Sequence, residues 1–420
     1  MRERPDDTWA TDLNAVPIPS VTHRKMRETS APLQALHLQW FCWGEFSVIT
    51  ATYEVPWSDH LAKRAESIAV GMTIGAWDDV HPLRQKEMQS FRGEVGSITR
   101  ISAEVGRFVI HYPVKNIQPT MGSLLTVVFG KVSLDGTIRL VALDLPEEFT
   151  HHFPGPALGL PGLRAKFAVY HRPFVMSIFK RENGIRLDEF TEAFEQQLAG
   201  GVDWIKDDEI FFHDDHAPLF ERIPIARRLL DQRLDRTGQR GLYAPNLVGT
   251  PKQILDKARR AVELGAEGFL VSPFVVGLDV LMDLRKQGVE VPLIAHPAFV
   301  GGMIAPHGYG IAPDILLGQL PRLAGADIVL FPSPYGSVGM DRDLALAVHQ
   351  HHVEPSPFPE VVSGPSTGIH AGLISQLIED FGYDIVVNAG SAIHGHPRGT
   401  EAGARVLMDT VQEVCHGTGV

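Results

Sequence analysis

The feature that most restricts the fold is a regular alternation of apolar and amphipathic segments in the C-terminal part of the chain. Eight short segments are apolar at nearly every position, as strands of a buried parallel sheet are. Helical periodicity separates or follows them, for example over 187–200, 251–265 and 402–414. The eight predicted strands are 172–180, 202–209, 241–249, 268–276, 292–300, 327–334, 360–368 and 384–392.

Eight strands, each followed by a helix, is the count of a closed parallel barrel. We therefore predict an α/β fold with a (β/α)₈ TIM barrel over residues 160–420. An open doubly wound sheet is the alternative, but no Gly-rich dinucleotide fingerprint follows the first strand.

The residues before the barrel have a different pattern. Over 46–152, strand-like segments and one amphipathic helix at 60–73 predict a smaller α+β domain of the ferredoxin-like kind. An apolar run at 122–132 is helix-like or mixed. The Pro/Gly-rich segment Phe153–Gly159 is predicted to be a linker. Residues 1–45 have no clear period and are predicted to be an N-terminal extension.

Charge and composition exclude several function classes. The formal net charge of −12 does not favour a nucleic-acid partner. No apolar run is long enough to span a membrane, and the first residues lack the apolar core of a signal peptide. Two cysteines, Cys42 and Cys415, make no disulfide framework. We expect a cytoplasmic enzyme that acts on a small molecule.

The end of the second barrel strand carries the most informative residues. Side chains alternate along a strand, so Lys206 and Asp208 point the same way and Glu209 lies just beyond. One interpretation is a salt-bridged rim. The other is a Mg²⁺ site, because this ion prefers oxygen ligands. A free ammonium cannot bind a cation, but a lysine converted to a carbamate can.

The segment GGVDWIKDDE (200–209) resembles the activation motif of the RuBisCO superfamily. That resemblance implies CO₂ bound as a carbamate on Lys206, with Mg²⁺ held by Lys206, Asp208 and Glu209. It extends over about residues 46–415. The other matching segments are KFAVYHRPFVMSIFK (166–180), IAHPA (294–298), SGPSTGIHAG (363–372) and NAGSAIHGHPRG (388–399).

Several departures argue against carboxylation. Glu182 stands where the carboxylases have a second lysine, and Pro297 stands where they have a phosphate-gripping arginine. The loop Phe331–Arg342, which corresponds to their lid, contains no lysine. The sequence still allows a single phosphate, because a Gly-rich turn can bind an anion through its backbone N–H groups.

Among the non-carboxylating members, the chain is most similar to the 2,3-diketo-5-methylthiopentyl-1-phosphate enolases of methionine salvage. The segments LLTVVFGKVSLDG (124–136) and LFPSPYGSV (330–338) carry this resemblance. It implies that Lys131 is the catalytic base and Lys180 a neighbouring catalytic cation. It also implies a homodimer in which Lys131 acts at the neighbour's barrel. The residues expected to bind substrate or phosphate are His296, Ser366, Thr367, Gly368, Gly390 and Ser391.

Three alternatives stay open at this point. A related isomerase or decarboxylase could act on another phosphorylated sugar through the same enolate, because Ser391 and Ala392 replace glycines of the enolase pattern. The second alternative is that the chain is a non-catalytic member of the superfamily. The third concerns His296, which could be an ordinary core histidine instead of a substrate-binding residue. The run 213–216 is interpreted as a solvated loop rather than a second metal site.

Overall fold

The computed structural model describes residues 47–77, 80–212, 215–304 and 308–417. The expected extension at 1–45 and the residues His213 and Asp214 lie outside these ranges. Within them, no helix is both long enough and apolar enough to cross a bilayer.

The N-terminal part has the ferredoxin-like arrangement. Its strands are β1 (Val48–Pro56), β2 (Glu94–Arg100), β3 (Val105–Pro113) and β4 (Arg139–Asp144), and its helices are α1 (Leu61–Gly71), α2 (Pro82–Met88), α3 (Met121–Leu125) and α4 (Glu147–Thr150).

The sheet order β4-β1-β3-β2 is antiparallel throughout. Alternate residues of β1 are buried, as expected for a sheet with one face on the core. Helix α3 continues as a π-helical turn over Thr126–Gly130 and a 3-10 turn over Lys131–Leu134. The mixed character of the apolar run at 122–132 therefore reflects three helix types in succession.

Eight parallel strands form the C-terminal barrel. They are β5 (Phe174–Ile178), β6 (Trp204–Lys206), β7 (Leu242–Ala244), β8 (Phe269–Val271), β9 (Leu293–Ala295), β11 (Ile328–Pro332), β12 (Val362–Ser366) and β13 (Val386–Ala389).

They pair in two sets of four, β13-β5-β6-β7 and β12-β11-β9-β8. Parallel bridges between Asn246 and Leu270 and between Ser363 and Ile385 join the sets. The ring is thus closed, which confirms the TIM barrel and excludes the open sheet. Each of the eight strands falls within a predicted segment.

The barrel helices surround the strands. They are α5 (Gly159–Phe167), α6 (Leu187–Ala199), α7 (Leu219–Thr237), α8 (Pro251–Glu263), α9 (Pro273–Val276), α10 (Asp279–Lys286), α11 (Gly301–Ile304), α12 (Leu320–Ala324), α13 (Arg342–Val353), α14 (Ile374–Phe381), α15 (Ser391–His394) and α16 (Thr400–Gly417).

Helix α5 closes the N-terminal end of the barrel. Its residues Leu160, Leu163 and Phe167 belong to the same apolar cluster as the inward-facing strand residues, including Trp204. The buried Asp327 carboxylate accepts the Gly159 N–H at 2.9 Å and so fixes the start of the helix. The Pro/Gly-rich segment therefore ends in a defined helix start.

The contacts that tie the N-terminal part to the barrel include a short strand and a helix cap. A two-residue strand, β10 (Gly310–Ile311), leaves the barrel after β9 and pairs in parallel with β4. The Asp279 carboxylate accepts the N–H groups of Met121 and Gly122, both at 2.8 Å, and so caps α3. The division into domains at 46–152 and 160–420 stays a prediction.

Candidate active site

The strand alternation places the predicted lysine at the mouth of the barrel. Trp204 belongs to the apolar cluster inside the barrel, whereas Ile205 packs in the outer core. Lys206 therefore points inward, one layer above Trp204, at the C-terminal end where TIM barrels carry their active sites.

Asp207 points the other way and supports the end of β6 from outside. Its carboxylate accepts from the Arg222 guanidinium at 2.8 Å, the Tyr243 hydroxyl at 2.7 Å and the Asn246 N–H at 3.0 Å. Arg222 and Asp207 are both almost fully buried. This network fixes the backbone that carries Lys206 and Asp208.

Lys206 is only 1% exposed, and its Nζ donates to the Asp207 carbonyl at 3.0 Å. Burial lowers the pKa of Lys206, and the carboxylates of Glu209 and Asp208 offset part of that effect. Because only a neutral amine can attack CO₂, this environment favours the reactive form.

Four further side chains lie around Lys206, and together we call the five the lysine–carboxylate cluster (Lys180, Glu182, Lys206, Asp208 and Glu209). The Lys180 ammonium donates to the Asp208 carboxylate. The Asp208 N–H donates to Glu182 at 2.7 Å, and Glu182 is only 4% exposed. Burial, and secondly the charge of Asp207, raise the pKa of Glu182 to about 8. The sequence identified Glu182 only as a departure, although its spacing of two from Lys180 was a usable signal.

His296 lies against this cluster rather than apart in the core. Its Nδ1 accepts the Ala298 N–H at 3.2 Å, so in the neutral ring the proton is on Nε2, 3.3 Å from the Glu209 carboxylate. Burial, and secondly the charge of Lys206, lower the pKa of His296 to about 3. The ring is therefore a neutral hydrogen-bond donor at physiological pH.

The cluster offers a hard cation only part of a ligand set. Within the described ranges, no three His, Cys, Asp or Glu side chains are arranged to hold a metal ion. Asp208 and Glu209 supply carboxylate oxygens, and a carbamate on Lys206 would supply the further anionic oxygen. The donor set fits Mg²⁺ once the lysine is modified.

The predicted phosphate residues lie at the ends of β12 and β13. Ser366 Oγ accepts from Asn388 Nδ2 at 2.8 Å and donates to the Gly364 carbonyl at 2.8 Å. Thr367 and Gly368 both have left-handed backbone, with φ of 74° and 66°. We call Ser366–Gly368 the Thr367 turn. Asn388 Oδ1 beside it is buried without a hydrogen-bond partner.

Gly390 and Ser391 have different surroundings. A Cβ atom on Gly390 would lie 2.9 Å from Lys180 Cε, so this glycine makes room for the lysine side chain. Ser391 is exposed at the first residue of α15. Gly390 follows β13, which lies between β12 and β5. Its contact with Lys180 therefore connects the region of the Thr367 turn to the lysine–carboxylate cluster.

Lys131, the predicted base, lies in a groove of the N-terminal part rather than among the described residues of the lysine–carboxylate cluster. It is exposed and lines a groove of about 210 Å³ with Ile68, Met72 and Val132. All the residues that line this groove belong to the N-terminal part.

Backbone strain is concentrated at the mouth. Four non-glycine residues in the described ranges have positive φ. Arg181, Phe299 and Thr367 follow β5, β9 and β12 at the C-terminal face, and only Ala168 lies elsewhere. Strained residues persist where their surroundings over-determine them, which is common at functional sites.

The barrel is similar to a known family of enzymes. Residues 159–419 match the family model for the ribulose bisphosphate carboxylase large chain, catalytic domain. The chain belongs to the ribulose bisphosphate carboxylase large-chain family.

Within this family, the sequence identity is higher to several 2,3-diketo-5-methylthiopentyl-1-phosphate enolases and to one rubisco-like protein, MtnW, than to a carboxylase of solved structure. The chain is 45% identical to a 2,3-diketo-5-methylthiopentyl-1-phosphate enolase from Exiguobacterium sibiricum, over 88% of this chain and 93% of that protein. A rubisco-like protein, MtnW, from Alicyclobacillus acidocaldarius has a TM-score of 0.83 at 46% identity, covering 88% and 95% of the two chains. The octameric carboxylase/oxygenase from Pyrococcus horikoshii has a TM-score of 0.82 at only 25% identity, covering 88% of each chain.

Proposed function

We propose that this protein is a RuBisCO-like enolase that tautomerises 2,3-diketo-5-methylthiopentyl-1-phosphate in methionine salvage and does not fix CO₂. One observation carries the proposal. Lys180, Asp208, Glu209 and His296 converge around an inward-facing Lys206 in a chain that is 45% identical to such an enolase. Glu182 and the lysine-free loop after β11 argue against carboxylation.

The proposal includes Mg²⁺ held by Asp208, Glu209 and a carbamate formed from Lys206 and CO₂. When bound, Mg²⁺ supplies Lewis-acid polarisation of substrate carbonyl oxygens. His296 Nε2 lies 3.3 Å from a Glu209 carboxylate oxygen and would help to orient that carboxylate. The Asp207–Arg222–Tyr243 network holds the strand end in register.

Proton transfer is assigned to this chain's lysines. In the substrate, the hydrogens on C1 are acidic because C1 is next to the C2 carbonyl. Lys131 acts as the base and takes one of them, and the C2 oxygen takes a proton from solvent, which completes the enol. Lys180 is a cation beside Asp208 and stabilises negative charge on oxygen. Replacing Lys131 by Ala should lower kcat by ~10²–10⁴-fold.

The proposal further includes a homodimer with shared active sites. Several exposed apolar side chains on the barrel loops support it, because a second copy would cover them. Leu134, beside Lys131, is 84% exposed on the surface that would approach. These exposed residues are Ile210, Phe212, Phe299 and Val338 on loops and Val275 on the short helix α9.

Mixing Lys131→Ala and Lys206→Ala subunits tests the shared site. Each mixed dimer has one intact site, so random exchange should restore about a quarter of wild-type activity. Each variant alone should stay inactive. No recovery after confirmed subunit exchange would contradict the shared site.

The function itself is tested by incubating the pure protein with the diketone phosphate, Mg²⁺ and bicarbonate. We expect ultraviolet absorbance of the enol to appear, and we expect no CO₂ incorporation with ribulose bisphosphate. Deuterium incorporation without accumulation of the enol would favour the alternative, a RuBisCO-like isomerase or decarboxylase acting on another phosphorylated sugar. Ser391, at the place of a glycine, is the feature that favours this alternative. A cytoplasmic location is part of the proposal, supported by the low cysteine count.

A further inference from the structure

We propose that Tyr335, Asp380 and Arg342 form a latch that fixes the β11–α13 loop against the β12 loop and thereby presets the Thr367 turn for a phosphate group. The inference rests on the proposed function for the identity of the substrate. It assigns a positioning role to three residues that do not themselves contact substrate.

The latch joins both ends of the loop to one carboxylate on α14. The Tyr335 hydroxyl donates to one Asp380 oxygen. Arg342 donates to the other through Nε at 3.1 Å and Nη2 at 2.5 Å. The Asp380 side chain has no exposed surface. Charge-assisted bonds to a covered carboxylate are stronger than bonds between neutral groups.

The fixed loop in turn packs on the Thr367 turn. The Ser333 N–H donates to the Ser366 carbonyl at 2.7 Å, and Thr367 Oγ1 donates to the Val338 carbonyl at 3.3 Å. A Cβ atom on Gly336 would overlap the Thr367 carbonyl. Only glycine allows the two backbones to approach this closely.

This packing explains how a β-branched residue keeps a left-handed backbone. Thr367 has φ of 74°, a conformation that is unfavourable for a β-branched side chain. Such strain persists only where the surrounding structure over-determines it. The surrounding structure here is the latched loop, because its atoms contact Thr367 through both the backbone and the hydroxyl group.

A preset turn binds an anion without first having to be ordered, which saves part of the entropic cost of binding. The loop after β11 would then act as a static clamp. A mobile lid would instead have to break the Tyr335 and Arg342 contacts at every turnover.

The test uses Tyr335→Phe and Asp380→Asn in the full-length protein, with Tyr170→Phe as the matched control. Tyr170 is 56% exposed and precedes β5, at the opposite face of the barrel. Two quantities are measured: kcat and KM with the diketone phosphate, and the Kd of inorganic phosphate by calorimetry. Loss of one such hydrogen bond should raise KM and the phosphate Kd by about 5–10-fold, with a smaller change in kcat.

Arg342→Lys, which keeps the charge, should lose less affinity than Arg342→Ala. Wild-type KM and phosphate Kd in both Tyr335→Phe and Asp380→Asn would overturn the latch, even if the melting temperature fell. Absence of phosphate binding by the wild-type protein would overturn it as well. If the wild-type protein binds phosphate but does not convert the diketone phosphate, the proposed function fails while the phosphate comparison still decides the latch.

Discussion

The two halves of the barrel mouth are held in shape by different means. The lysine–carboxylate cluster consists of side chains on short strand ends, fixed by buried charges such as the pair of Asp207 and Arg222. The Thr367 turn is a backbone conformation, fixed by contacts from a neighbouring loop. In one half the residue types determine the chemistry, and in the other the position of the main chain does.

The largest expected effect comes from breaking the cluster itself. Lys206→Ala removes the group that would become the carbamate. Lewis-acid stabilisation is worth several kcal/mol, so kcat should fall by ~10³-fold or more. The measurement is enol formation with Mg²⁺ and bicarbonate. Lys166→Ala, a partly exposed lysine on α5, is the control and should keep wild-type activity. Retained activity in Lys206→Ala would remove the centre of the proposed chemistry.

The support behind the cluster should matter for stability. Arg222→Met leaves the buried Asp207 carboxylate without its cation, which should cost about 3–5 kcal/mol in the free energy of unfolding. The control is Arg227→Met on the same helix. Arg227 is 39% exposed and pairs with Asp231 and Glu267, so its loss should cost about 1 kcal/mol or less. Denaturant titration compares the two. Equal losses in the free energy of unfolding would indicate that the buried Arg222–Asp207 pair contributes no more to stability than the exposed one.

A buried neutral histidine, His352 on α13, supports β12, the strand that leads into the Thr367 turn. His352 Nε2 donates to the Leu317 carbonyl at 3.0 Å, so Nδ1 accepts from Ser363 of β12 at 2.7 Å. Burial lowers the pKa of His352 to about 3.

The pKa of His352 is lower in the folded state than in the unfolded state, so only the unfolded state gains a proton between pH 6.5 and 3. His352 therefore does not change the free energy of unfolding above pH 6.5 and lowers it progressively as the pH falls from 6.5 towards 3. At pH 5 this loss is about 2 kcal/mol. The free energy of unfolding should therefore depend less steeply on pH in His352→Gln than in the wild type. The exposed His60→Gln should keep the wild-type slope.

The smallest effect tests the backbone of the Thr367 turn directly. Thr367→Gly should be more stable than Thr367→Ala by about 1 kcal/mol, because only glycine tolerates positive φ freely. Both variants lose the hydroxyl group, so their difference isolates the backbone. At Thr191 inside α6 the order should be reversed, with alanine more stable by about 1 kcal/mol. The same order at both sites would mean that position 367 is not strained.

The sequence predicts the first half of the mouth better than the second. Strand alternation was sufficient to predict that Lys206 and Asp208 point the same way, but only the packing of Trp204 and Ile205 shows that Lys206 faces the inside of the barrel. The closeness of Gly336 to Thr367 depends on two loops meeting in space, which periodicity does not encode. The role of Gly390, making room for Lys180, was missed for the same reason.

The sequence analysis did not assign bounds to two elements of the fold. Helix α7 is the longest helix described, but Pro224 and several arginines interrupt its apolar pattern. Two of those arginines are buried all the same: Arg222 pairs with Asp207, and Arg233 donates to the Val202 carbonyl. Strand β10 has only two residues, too few to produce an alternation.

The short strand β10 has a consequence for the modularity of the chain. It supplies the edge strand of a sheet whose other four strands come from the N-terminal part, and Asp279 of the barrel caps α3. The N-terminal part therefore cannot be fused to a foreign barrel, or expressed by itself, without losing an edge strand and a helix cap. Recombination between relatives should succeed only when the segments around Asp279 and β10 come from the same parent as the N-terminal part.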